Sequence, residues 1–114
     1  MIIICGQHSW NKRAGDLIDS YVDQPCYEID SLQIINFGNT KKIVKKADAL
    51  VVDLDNTTPT MIEIMTIAQC FDVPVIGLAT NRVVPPRTVS LCDDIIDSNG
   101  DDLSVTILQY TRGV

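Results

Sequence analysis

Apolar residues along this chain fall into two alternating patterns, short continuous runs and longer stretches with helical spacing. The run MIIIC (1–5) has the pattern of a strand buried on both faces. Gly6 to Asn11 reads as a loop, and from Lys12 to Val22 the apolar positions Leu17, Ile18, Tyr21 and Val22 recur at helical spacing. Pro25 stops that helix, and CYEID (26–30) follows as a half-exposed strand. Residues 31–39 read as irregular, with Gly38-Asn39 as a breaker. Thr40 then caps a short helix over 41–47, which leads into a third strand, DALVVDL (48–54). Pro59 suits the first turn of a helix running to Phe71. VPVIGLA (73–79) predicts a fourth buried strand, 80–90 a long loop, 93–98 a short fifth strand, and 101–110 a closing helix.

Strands and helices alternating in this way predict a single α/β domain over residues 1–114. Its five-stranded, mostly parallel sheet would carry helices on both faces, in a flavodoxin-like or Rossmann-like layout. Ligands of such open sheets bind beyond the carboxyl ends of the strands. That rule gathers three loops, Gly6–Lys12, Asp53–Thr60 and Thr80–Ser90, at one edge.

Composition narrows the partners. With 114 residues, 46% hydrophobic and 21% charged, the chain is suited to a compact core rather than to disorder. A net charge of −6 argues against a nucleic-acid binder, which needs a cationic field. Lys41, Lys42, Lys45 and Lys46 form one basic cluster without interleaved aromatics, and it reads as a solvated helix face. Cys5, Cys26, Cys70 and Cys92 are widely spaced and accompanied by one histidine, so neither a disulfide framework nor a metal site is expected. No leader-like or membrane-spanning stretch stands out, and a cytoplasmic location without membrane contact is the expectation.

Three carboxylates cluster where the third strand ends. Asp53 interrupts an apolar run, Asp55 follows it, and Glu63 lies on a helix that is otherwise apolar nearly all round. Two readings stand for Glu63: a desolvated acid beside a partner surface, or a first-turn acid favoured by the helix dipole and open to water. Asp55-Asn56 equally suits a simple turn.

The stretch ADALVVDLDNTTPTMIEI, the later DVPVIGL and the opening IIICGQHSWNKR resemble the nucleoside 2-deoxyribosyltransferase family. The 2′-deoxynucleoside 5′-phosphate N-hydrolase branch is the nearest part of it. The resemblance spans about residues 2 to 110 and is carried most specifically by Thr60-x-x-Glu63. It implies a glycosidic-bond enzyme whose nucleophile is Glu63, with Asp53 or Asp55 orienting sugar hydroxyls or handling the leaving base. It also implies no cofactor and no metal. The chain departs from the family pattern at Ile4, where the family has a catalytic Tyr, and at Thr40 and Thr57, where it has acids. Pro59 and Met65 replace two family glycines.

Around that core, Gly6, His8, Ser9, Lys12 and Arg13 open a helix after the first strand, a natural place for a 5′-phosphate. Trp10 can stack on a base or pack against the loop, and Thr57, Thr60 and Asn81 complete the candidate substrate contacts. The expected partner is a small nucleoside or nucleotide. A homodimer or higher homo-oligomer is also expected, meeting near the third helix. The same fold with eroded acids would instead be a non-catalytic nucleotide-binding or sensing domain. A phosphoribohydrolase of the "lonely guy" type and a flavodoxin-like electron carrier rank below both, the first for want of its glycines and the second for want of a Ser/Thr phosphate loop.

Overall fold

A computed structural model describes residues 1–20, 24–80, 86–97 and 102–111. Five parallel strands form one sheet: β1 (Ile2–Gly6), β2 (Cys26–Asp30), β3 (Ala49–Asp53), β4 (Val75–Ala79) and β5 (Asp94–Asp97). Their spatial order is β2-β1-β3-β4-β5. The connecting helices are α1 (His8–Asp19), α2 (Phe37–Lys45), α3 (Pro59–Cys70), the single turn α4 (Pro86–Val89) and α5 (Asp102–Thr111).

The three inner strands are buried at every position, as their continuous apolar runs require. Alternation along each strand divides the core in two. Ile3, Cys5, Leu50, Val52 and Val75 face α2 and α3, joining Val44, Met61, Ile64 and Met65. Ile2, Ile4, Ala49, Val51, Ile76 and Leu78 point the other way, joining Ala14 and Ile18 of α1 and Ile107 of α5. Strand register is fixed by pairs such as Ile2 with Cys26, Ile2 with Ala49, and Leu50 with Val75.

Two helices start earlier than the sequence pattern indicates. α1 begins at His8, so Gln7 alone separates it from β1, and the expected loop over Gly6–Asn11 is largely helix. Its buried face is Asn11, Ala14, Gly15 and Ile18, while Leu17 is exposed. Small residues and one asparagine carry no apolar periodicity, which is why the first turns were invisible to it. Tyr21 and Val22 lie outside the described residues. α2 begins at Phe37, capped by Asn36, whose Oδ1 accepts the Asn39 amide at 3.0 Å. Gly38-Asn39 therefore sits inside the first turn, and Thr40 is a buried helical residue rather than a cap. In the expected long loop after β4, Pro86–Val89 forms the turn α4.

α3 is apolar because this chain covers it from two sides. The sheet buries Met61, Ile64, Met65 and Ala68, and α2 packs alongside. Lys41 and Lys45 place their ammonium groups 5.7 and 5.8 Å from the ring centroid of Phe71, sheltering the end of the helix. No partner subunit is needed to explain the helix's composition. α3 closes with a Schellman turn: Val73 N–H donates to Ala68 O and Asp72 N–H to Gln69 O, with Asp72 at φ 55°.

Candidate functional site

β3 delivers its last residue, Asp53, to the carboxyl edge beside Leu78 of β4. Asp53 is 1% exposed, and both its oxygens are engaged, accepting from the Asp55 amide (3.1 Å) and from Asn56 Nδ2 (3.1 Å). It thereby caps a 3₁₀ turn, Leu54–Asn56, that folds back over the sheet. Leu54 enters the core over Gly77, where a Cβ would lie 2.4 Å from Leu54 Cδ1, so glycine makes room for the turn. Asp55 reaches the end of β4. Its carboxylate accepts from Thr80 N at 3.0 and 3.2 Å and from Thr80 Oγ1 at 3.1 Å. Both aspartates thus hold the edge together through hydrogen bonds to anionic acceptors, a strong class of contact.

The next residues anchor the start of α3. Thr57 Oγ1 donates to Leu54 O (3.3 Å). Thr58 caps the helix by accepting from the Met61 amide (3.2 Å) and donates to Ser31 O (2.6 Å). Thr60 Oγ1 donates to Gln33 O (2.8 Å), tying the helix to the segment after β2. Pro59 occupies the first helical position.

Glu63 follows in the second turn and is exposed. Among the described residues it has no hydrogen-bond or ion-pair partner. It lines an open groove of about 540 Å³ between α3 and α4, shared with Thr57, Pro59, Ile62, Arg87 and Thr88. Within the single chain Glu63 is open to water, one turn later than a first-turn acid would sit.

The residues around α1 form a separate group. α1 and α3 pack on opposite faces of the sheet, and none of residues 6–13 lines the Glu63 groove. Gly6 is set by packing, since a Cβ there would lie 2.4 Å from Trp10 Cε3. Trp10 is accordingly half-buried, packed from α1 against the core on that face of the sheet. His8, Ser9, Lys12 and Arg13 are exposed on α1, and Gln7 provides no side-chain cap. Asn81 lies outside the described residues.

Two contributors carry no signal in the apolar pattern. Asn11, 2% exposed, donates through Nδ2 to Gly6 O and Ile29 O, both at 2.9 Å, clamping α1 to β1 and β2. Arg87 joins the Glu63 groove from a stretch that reads as loop. Among the described residues, no group of three or more His, Cys, Asp or Glu side chains is placed to hold a metal ion.

Strand order and parallel pairing define a flavodoxin-like α/β domain. The chain is similar in fold to the flavodoxin-like domain of a Synechococcus protein, with a TM-score of 0.57 at 8% identity, over 97% of this chain and 93% of that one. A 3-dehydroquinate dehydratase-like protein from Bifidobacterium longum aligns over 98% and 94% of the two chains, at a TM-score of 0.48 and 9% identity. No protein-family model and no curated protein matches the chain. Among the described residues, no helix is long and apolar enough to cross a membrane.

Proposed function

We propose that this domain cleaves or transfers the N-glycosidic bond of a 2′-deoxynucleoside or its 5′-monophosphate, with Glu63 as the nucleophile. One observation carries the reading: of the three carboxylates at the β3–α3 edge, Glu63 alone has no partner among the described residues, and it faces a groove of about 540 Å³. That volume suits a small ligand. The sequence resemblance around Thr60-x-x-Glu63 supports the chemistry, and the flavodoxin-like fold supports the placement at the carboxyl edge.

In this reaction a Glu63 oxygen bonds to C1′ as the C1′–N bond breaks. The bonding pair leaves on the base nitrogen, which takes up a proton from solvent. The deoxyribosyl ester is then resolved by water, which returns its proton to solvent, or by an incoming base. Asp53 and Asp55 serve as positioning residues: they set the 3₁₀ turn from which Thr57 and α3 begin. The test is incubation with deoxynucleosides and their 5′-monophosphates, following free base by chromatography. Base release that vanishes in Glu63→Gln is the expected result, and release that persists in that variant rejects the nucleophile.

A second reading, a non-catalytic nucleotide-binding or sensing domain, is favoured by the engagement of Asp53 and Asp55 and by the buried, apolar Ile4 at the family's Tyr position. Ligand binding without base release identifies it. Self-association also belongs to the proposal, now through the connection between β2 and α2. Leu32 (68%), Ile34 (100%) and Phe37 (60%) are exposed there. Light scattering should give at least a dimer mass, which Ile34→Asp lowers. A monomer at every concentration rejects it.

A further inference from the structure

We propose that Arg87 is the specificity-determining residue of the Glu63 groove, selecting a ligand that carries a phosphate. The inference rests on the reading of that groove as the ligand site and goes on to name which substrate form enters it.

Among the described residues, Arg87 is the one cationic side chain lining the groove. It is exposed, and its guanidinium is joined to no described residue by a hydrogen bond or ion pair. That is notable in a chain with 15 acidic and 9 basic residues, where acidic partners are plentiful. Across the groove stands the carboxylate of Glu63. A neutral nucleoside offers a guanidinium no charge to pair with, whereas a phosphate takes two parallel N–H···O bonds. Glu63 repels an anionic ligand unless a cation in the same groove offsets it, and Arg87 is placed to do so. Thr57 and Thr88 add hydroxyl groups to the same lining. The cations that the sequence pattern offers for a phosphate, Lys12 and Arg13, belong to α1 on the other face of the sheet and do not touch this groove.

The test measures equilibrium binding of four deoxynucleosides and their 5′-monophosphates to the Glu63→Gln protein, which removes turnover from the readout. At least one monophosphate should bind about tenfold or more tightly than its nucleoside, as expected for a charge-assisted bidentate contact. Arg87→Gln should bring that ratio close to one while leaving nucleoside affinity in place, and Arg87→Lys should restore part of it. Circular dichroism verifies that each variant is folded. A ratio unchanged in Arg87→Gln overturns the proposal. So does a ratio that survives there and falls in Lys12→Gln/Arg13→Gln, which assigns the phosphate to α1. Free base released by the wild-type chain with no phosphate preference rejects Arg87 and leaves the glycosidic reading standing. Absence of both base release and binding rejects the two together.

Discussion

Asp53 and Asp55 share a sheet edge with Glu63, and the three differ in what surrounds them. The aspartates accept five hydrogen-bond contacts from the 3₁₀ turn and from Thr80, and Asp53 is buried. Glu63 stands exposed in a groove with no partner among the described residues. Charge alone therefore does not identify a reactive carboxylate. A carboxylate whose two oxygens already accept from the fold acts as a structural acceptor, whereas one left free beside a cavity has its lone pairs available for a ligand.

This contrast predicts graded effects on stability. Asp53→Ala removes the cap and leaves the part-buried Asp55 amide and the Asn56 amide group without their acceptor. Urea denaturation should show a loss of about 2–3 kcal/mol. Asp55→Ala frees only the end of β4 and should cost about 1–2 kcal/mol by the same measurement. An equal or smaller effect for Asp53 than for Asp55 breaks the ranking.

Burial without donors sharpens the comparison. Cys5 lies in β1, and burial, with the Asp30 charge adding, pushes its thiol up to about 12 from 9.0. The fold keeps that thiol protonated to higher pH than the unfolded chain does. Its contribution to stability is complete below pH 9 and is lost as pH rises toward 12. At pH 10.5 the Cys5 part of the loss relative to pH 8 should be about 2 kcal/mol and should disappear in Cys5→Ala, while Cys26 and Cys92, pushed up to about 11 by burial, contribute the remainder. At the small end, Glu63→Gln should change stability by no more than about 0.5 kcal/mol, because none of the described residues bonds to that side chain. A larger loss would show that Glu63 is a structural acid like its neighbours.

The fold was legible because its inner strands are buried on both faces. MIIIC, ALVVD and VIGLA can hardly be anything but central parallel strands, and the structure places each within two residues of its expected bounds. The starts of α1 and α2 were not legible, because their first turns are set by Asn11 reaching the β1 and β2 carbonyls and by Asn36 as a cap. Those are single polar contacts with no periodic trace. The carboxylate cluster was visible as a cluster, yet its division into bound and free members depends on Thr80 and Asn56, which only the folded chain brings into reach. Arg87 was missed for the same reason. An arginine after two prolines gives no sign of facing α3 until α4 turns it there.

The most direct test of Glu63 as the reactive carboxylate is to trap it. The protein would be incubated with 2′-fluoro-substituted deoxynucleosides and their 5′-monophosphates. Their electron-withdrawing fluorine destabilises the oxocarbenium-like transition states and slows breakdown of a glycosyl ester. Intact-mass measurement followed by peptide mapping should find one added sugar, with or without its phosphate, on Glu63, and none in Glu63→Gln. An adduct on Asp53 or Asp55, or base release from the parent substrates with no adduct at any carboxylate, would contradict the account.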